Sequence, residues 1–446
     1  MRLSLRLLHI HWLVLGVLLL GASQLAAQDR PSTLSTLFED IYGPRGLVLN
    51  SDDVQLDGTN HSAHFNSAFQ SEFRLVNVAL TSQLATVPLP SPASGFTYTF
   101  DSATGTFLRS TRNFGPILAE RGETIGRDKI AFGYSYQFFS YDALDGVRLA
   151  NIPAVFTHDN FQAGGGRSDV VATSNTVEAT VNRFTAALTY GLSDRIDLSL
   201  AVPVVATRLS LLSNATIHRI GTGTNLAVHY FRDPDAFEGF GSTRQYFAEG
   251  SAGGVGDLVA RVKATMMKEG TRALAAGLDV RMPTGDEQNL LGSGAVGMRP
   301  FVAFSAQMGA FAPHANAAYQ WNGESLIGGN VREGVKGDLP DQFTYALGGD
   351  VLVAPRLSMI LDLFGQRVVS SPRLVAITST RTGVAGSVTL DDIRFVNESY
   401  WTSSGSFGLK ANLMSRMLVT FNLQFALADG GLTDRLSPLV GLEWAF

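Results

Sequence analysis

From residue 129 onward, apolar and polar residues alternate with a period of two, and no apolar run after residue 30 is long enough for a membrane-crossing helix. A spanning helix needs about 20 consecutive apolar residues. Period-two alternation instead gives each strand one greasy face and one small or polar face. In Lys129–Ser140, Ile130, Phe132, Tyr134, Tyr136 and Phe138 fall on one face, and Ala131, Gly133, Ser135 and Gln137 on the other. Phe184, Ala186, Leu188 and Tyr190 alternate with Arg183, Thr185, Ala187 and Thr189. The turn-forming cluster Gly191-Leu192-Ser193-Asp194 follows. After it, Ile196, Leu198, Leu200, Val202 and Val204 alternate with Asp197, Ser199 and Ala201. A third pair sets Leu258, Ala260, Val262, Ala264 and Met266 against Arg261, Lys263 and Thr265, and turns at Lys268-Glu269-Gly270. It returns through Leu274, Ala276, Leu278, Val280 and Met282, set against Asp279 and Arg281. Further strands read at 298–308, 313–322, 342–353, 357–368, 405–414, 417–428 and 436–446, which makes twelve.

The connections divide into two kinds. Those near 191–195, 268–272, 309–312, 354–356 and 415–416 are short, and those at 141–175, 209–256, 284–297, 323–341 and 369–404 are long. Only 429–435 breaks the contrast. Short periplasmic turns alternating with long external loops are the pattern of an outer-membrane barrel, and an even strand count places both barrel ends in the periplasm. In hydrocarbon a sheet must close on itself, because no water is there to satisfy an edge. By this topology Tyr190, Trp444 and Phe446 lie at periplasmic strand ends and Trp321 at an external end, as interfacial girdles require. The expected fold is therefore all-β, a transmembrane antiparallel barrel of 12 to 14 strands over 129–446, in the bacterial outer membrane. A soluble sandwich also alternates, but it would seldom sustain twelve strands with such greasy faces and long loops.

Composition fits. Charged residues are 16% of the chain, against about 25% in typical soluble proteins. The net charge of −5 gives no nucleic-acid footprint. With no cysteine there is no disulfide framework, thiolate site or lipid anchor. Residues 1–27 read as a cleaved signal peptide, with Arg2 and Arg6, an apolar stretch Trp12–Gly21, and Leu25-Ala26-Ala27 before Gln28. In the last strand Pro438, Val440, Leu442, Trp444 and Phe446 share one face. A terminal Phe on such a strand resembles the signal read by the barrel-assembly machinery, so Trp444 and Phe446 are the assembly candidates.

Residues 28–128 read differently. They include a mixed segment Phe65–Ala85, Pro88, Pro90 and Pro92, and a hairpin-like Phe96–Phe100/Thr106–Ser110 turning through 102–105. Phe114-Gly115-Pro116, with Glu120, Arg121, Glu123 and Arg127, precedes the first strand. One reading is an N-terminal hatch or plug, in or under the lumen. The other is two further barrel strands and a periplasmic tail.

The lumen-facing candidates are Gln137, Arg183, Asp197, Arg261, Lys263, Asp279, Arg281, Arg299, Gln307, Asp350, Asp362, Lys410, Asn412 and Glu443. Both charge signs occur. They line a selective water-filled path or form an internal ion-pair network that neutralises charge around a plug. Catalytic, cofactor and metal sites are not expected. His61 and His64 lack a partner at zinc-like spacing. Gly164-Gly165-Gly166 opens no helix after a strand. Neither Gly292-Ser293-Gly294 nor Gly405-Ser406-Phe407-Gly408 fits a nucleophile elbow.

Several stretches are similar to the outer-membrane transporter family of meta-pathway phenol-degradation proteins, which in turn resemble the FadL-like channels. They are Tyr190-Gly191-Leu192-Ser193-Asp194-Arg195-Ile196-Asp197 with Ala201-Val202-Pro203, then Gly254-Val255-Gly256-Asp257, then Asp279-Val280-Arg281-Met282-Pro283-Thr284-Gly285-Asp286. The resemblance covers roughly 129–446. It implies a monomeric barrel with an N-terminal hatch, passing fatty acids, phenols or other small hydrophobic solutes. In the channel reading the long loops 141–175 and 209–256 capture the solute. It carries over no binding residues. The chain departs from FadL itself in lacking an Asn-Pro-Ala motif and in having twelve strands rather than fourteen. An outer-membrane hydrolase and a structural or adhesive barrel are the alternatives.

Overall fold

The computed structural model describes residues 33–43, 46–50, 65–66, 77–79, 98–101, 106–109, 113–158, 166–414 and 416–446. The leader, His61 and His64, most of Phe65–Ala85, the prolines at 88–92, the turn 102–105 and Gly164-Gly165 lie outside them.

Twelve strands form the wall: β1 (Ile130–Ser140), β2 (Val170–Ser193), β3 (Ile196–His218), β4 (Leu258–Glu269), β5 (Arg272–Met282), β6 (Gly297–Ala306), β7 (Phe311–Asn322), β8 (Gln342–Ala354), β9 (Leu357–Gly383), β10 (Gly386–Met414), β11 (Met417–Ala426) and β12 (Ser437–Ala445). Each pairs antiparallel with its chain neighbours, and β12 pairs with β1 from Leu439↔Gln137 to Ala445↔Ala131, which closes the ring. Phe446 extends the seam, donating its N–H to Ile130 O at 2.8 Å. Closure leaves no edge facing lipid.

The period of two sorts the side chains. Phe132, Tyr134, Phe184, Leu188, Leu200, Val262, Val302, Leu361, Phe421 and Leu442 are exposed on the outside, an apolar belt that only hydrocarbon would cover at so little cost. Rings mark its rims. Trp444 stacks with Phe446 at the periplasmic end. Externally, Trp321 meets Tyr319 at 5.1 Å, and Trp401 lies against Phe343 and under Arg367.

The external connections differ from the sequence reading in one respect. Much of 141–175, 209–256 and 369–404 is strand rather than loop. β2 and β3 run 24 and 23 residues, and β9 and β10 run 27 and 29, well past the belt. Ile152–His158 pairs with the extension of β2, and Thr243–Val255 with that of β3. β9 and β10 stand across the ring from β3, yet their hairpin meets the β2–β3 side. Ala385 donates its N–H to Ile220 O at 2.7 Å, and Val155 N–H reaches Asp392 at 3.0 Å. The hairpin therefore arches over the mouth. It buries Leu374 and Ile393 with Phe156, Val171 and Leu211, and the same core takes in Leu34, Leu37, Phe38 and Leu47 from the N-terminal segment. Above the membrane apolar residues must face each other rather than lipid. Their alternation there becomes a two-layer core, which a search for one membrane-length strand per crossing does not detect.

A buried clasp fastens this layer. Asp169 accepts hydrogen bonds from Gly221 N–H at 2.7 Å, Thr222 N–H at 3.0 Å and Thr222 Oγ1 at 2.6 Å, and meets His229 Nδ1 at 2.8 Å. Burial pushes its carboxyl up, but His229, Thr222 and Gly221 together outweigh this and hold it below the ordinary aspartate range. A depressed carboxylate stabilises the fold above its unfolded value, about 3.9, and that stability is lost as pH falls through the lower folded value. Hydrogen exchange of 170–180 and 208–218 should thus stay slow at pH 5 and accelerate only below about pH 4. Acceleration already between pH 6 and 5 would contradict the assignment.

The family-like motifs also have structural work. Asp257 accepts from Gly285 N–H at 3.1 Å and from Ser293 N–H and Oγ at 2.7 and 2.5 Å, while Thr284 Oγ1 donates to Gly256 O at 2.7 Å. Gly256-Asp257, Thr284-Gly285 and Gly292-Ser293 thereby knot the external ends of β4 and β5.

Candidate functional site: the strapped lumen

Residues 113–126 cross the inside of the barrel in its periplasmic half. They have no periodic pattern, and wall side chains hold them point by point. Asn113 Nδ2 donates to Ala310 O and Asp350 O at 2.8 and 2.9 Å. Lys410 Nζ donates to Pro116 O at 2.9 Å. The Glu120 N–H meets Asn316 Oδ1 at 2.6 Å, and Gly122 N–H meets Ser305 Oγ at 3.0 Å. Ile125 N–H donates to Asp197 Oδ2 at 3.0 Å. These partners come from β3, β6, β7, β8 and β10, so the strap is anchored around most of the ring. A fully extended crossing would expose its backbone groups, and the polar inner wall satisfies them. At its exit Gly191 admits the Gly126 carbonyl so closely that any Cβ there would collide with it.

The charged candidates surround the strap. Glu120 pairs with Arg261 Nη1 and, at 2.8 Å, with Lys263. Asp279 is shared by Arg261 at 2.6 Å and Arg299 at 2.5 Å. Lys263 also lies 3.7 Å from Asp197. Lys410 and Glu443 pair at 2.8 Å, and Arg281 lies 3.6 Å from Asp257 and donates to Asn322 at 2.8 Å. Asp350 meets His314 at 2.6 Å, and Gln307 donates to Asn113 Oδ1 at 3.1 Å near the periplasmic turn. Asp362 is buried on β9, and Asn412 is half-buried near the lower end of β10. Gln137 and Arg183 face each other on β1 and β2, joined at 2.5 Å. None of these fourteen side chains is exposed, whereas Trp444 and Phe446 stand on the outer surface. Most of these charges are joined by ion pairs and hydrogen bonds to one another or to residues 113–126.

Sequence reasoning missed His314, Asn316 and Ser305. All three share the inward parity of Gln320 and Arg299, so the same period could have found them. It placed Glu120 ahead of the first strand but had no signal for its position inside the lumen. The hairpin expected near 96–110 forms as Tyr98–Asp101 paired with Thr106–Arg109 in a separate two-stranded sheet, so it adds no strand to the ring. Residues 33–43 and 46–50 sit at the external end, where Asn50 bridges Tyr230 and Ser35 N–H reaches Gln288 O at 2.9 Å, rather than beneath the barrel.

Above the strap a chamber of about 160 Å³ opens toward the external side. Leu118 and Glu120 form its floor, and Phe139, Tyr141, Phe301 and Phe364 share its wall with Gln366, Gln424, Thr402 and Ser404. Phe301 is fixed twice. Its ring lies over Gly277 of β5, and the Arg261 guanidinium stacks on it with 5.0 Å to the centroid. Gly277→Val would drive a side chain into that ring. Overpacking of this kind costs about 1–3 kcal/mol, so we expect a matching loss in urea-unfolding stability in lipid bilayers, with Gly277→Ala intermediate. Two His–carboxylate pairs, Asp169–His229 and Asp350–His314, are fully buried and out of reach of a solute.

A closed ring with an oily outer belt, aromatic rims and a strapped polar interior defines a transmembrane β-barrel of the outer-membrane type. Residues 157–359 match the family described as "Putative MetA-pathway of phenol degradation", the same family that the turn and strand motifs resemble. No curated protein matches the chain. Among solved structures it is similar to an outer-membrane channel from Pseudomonas putida F1, at 15% identity over 73% of this chain and 97% of that one, with a TM-score of 0.44. It is also similar to a FadL homologue from Pseudomonas aeruginosa, at 11% identity over 71% and 89%, with a TM-score of 0.29. The CymD monoaromatic hydrocarbon channel matches at 8% identity over 72% and 89%, with a TM-score of 0.29. The barrel assignment rests on ring closure in this chain, not on these likenesses.

Proposed function

We propose that the chain is a monomeric outer-membrane channel for small hydrophobic compounds such as phenols, other aromatics or fatty acids. In this reading residues 28–128 are a hatch, and 113–126 are the part that blocks the lumen. The observation that carries it is the chamber. Phe139, Tyr141, Phe301 and Phe364 face a chamber that opens to the external side and whose floor is the strap. Removing apolar solute surface from water is worth about 25 cal/mol per Å², so such a chamber concentrates greasy solutes over polar ones. Ion pairs and single hydrogen bonds can exchange for water, and the apolar contacts of the strap are small clusters, Phe114 with Leu418, Ile117 and Leu118 with Ile360 and Leu439, and Ile125 with Ala131, which a shift must also open. The description of the matching family and the names of the similar channels are consistent with this solute class. The lumen-lining charges then act chiefly by holding the strap. The outward Trp444 and Phe446, beside the β1–β12 seam, are the surface offered to the barrel-assembly machinery.

Proteoliposomes holding the full chain should take up labelled phenol and a medium-chain fatty acid at least about tenfold faster than a sugar of similar mass. Equal rates for all three would mean a general pore, and the reading would be dropped.

A further inference from the structure

Most lumenal strand cations have a carboxylate partner: Arg261, Lys263, Arg281, Arg299 and Lys410 all do. Arg183 differs. Its side chain is buried at 4% exposure, and its hydrogen bond runs from Nη2 to the neutral amide oxygen of Gln137 at 2.5 Å. Among the described residues no carboxylate pairs with it. Its Nε and the Nε2 of Gln137 are buried donors without an acceptor. A buried guanidinium and two idle N–H groups on one patch are costly unless something negative completes them.

The patch adjoins the chamber. Gln137 is the inward residue next below Phe139 on β1, Arg183 is directly opposite it on β2, and Phe139 and Tyr141 line the chamber above. The one chamber carboxylate near this wall, Asp434, is already occupied by Ser140 N–H at 2.9 Å and Ser437 Oγ at 2.7 Å. Glu120 on the floor is neutralised by Arg261 and Lys263.

We infer that Arg183 and Gln137 form an anion subsite that selects amphipathic monoanions, a carboxylate on an aromatic or aliphatic body, over neutral compounds of the same shape. The carboxylate accepts from Arg183 Nε and Nη and from Gln137 Nε2, and the apolar body lies against Phe139 and its neighbours. This rests on the channel reading and narrows its solute class to weak acids. Charge-assisted, forked hydrogen bonds of this kind are about twice as strong as neutral ones.

The test is calorimetric titration of the detergent-solubilised full chain with benzoate and with benzyl alcohol at pH 7.5. The wild type should bind benzoate at least about tenfold more tightly, a preference of about 1.4 kcal/mol. Arg183→Met should abolish that preference while leaving benzyl alcohol within about threefold, and Arg183→Lys should keep part of it, since a point charge lacks the fork. Heat-modified migration on gels shows whether each variant is folded, and the wild-type preference is informative without any variant. Binding of both ligands with no preference for benzoate overturns the subsite and leaves the channel reading standing, as does a preference that survives Arg183→Met. Binding of neither overturns the channel reading itself.

Discussion

Deletion of residues 28–128 should turn a nearly closed barrel into a conducting one, raising single-channel conductance in planar bilayers by about tenfold or more. A ring of twelve strands lies between the eight-stranded barrels that wall side chains can fill and the porins of sixteen or more strands with open channels. Its own wall therefore leaves space, and the strap occupies that space in the periplasmic half. Conductance unchanged by the deletion would show that the wall or the external roof sets the resistance. The deletion also releases Lys263 from Glu120 and Asp197 from Ile125, so some loss of thermal stability should accompany the gain in conductance. Glu120→Gln is the milder version. It leaves Arg261 with Asp279 alone, and flickering openings rather than a steady pore are expected.

Asp279→Ala should be the most destabilising single substitution in the lumen. Its carboxylate is shared by Arg261 and Arg299, and its removal leaves one buried guanidinium with half its counter-charge and another with none from this network. Breaking a buried pair by removing one partner costs about 3–5 kcal/mol, mostly through the charge left behind. Urea unfolding in lipid bilayers should show a loss of that order. Adding Arg299→Met removes one stranded charge and should recover more than about 1 kcal/mol, the coupling expected of residues in one network. Additive losses in the double variant would mean that Arg299 reaches water and needs no partner.

The outcome at Asp279 shows what sequence pattern can reveal. Period-two parity alone put Asp279, Arg261 and Arg299 on the inner face, because a strand has only two faces and lipid forbids one of them to charge. The same parity sent Phe132, Leu188 and Trp444 outward. It also fixed the strand count, since each crossing ends in a turn cluster or a polar stretch. It misjudged strand length in β9 and β10, where alternation continues into water and the apolar face switches from lipid to another sheet. One-dimensional periodicity records that a face is apolar, not what covers it.

Alternation and short turns thus made the barrel, its axis and its inner and outer faces inevitable from the order of residues, because backbone pairing in hydrocarbon admits no other closed solution. Where 113–126 run, which carboxylate serves which cation, and that Arg183 hydrogen-bonds an amide rather than a carboxylate were decided by the tertiary structure. These depend on distances between strands far apart in the chain, and neither spacing nor composition encodes such distances.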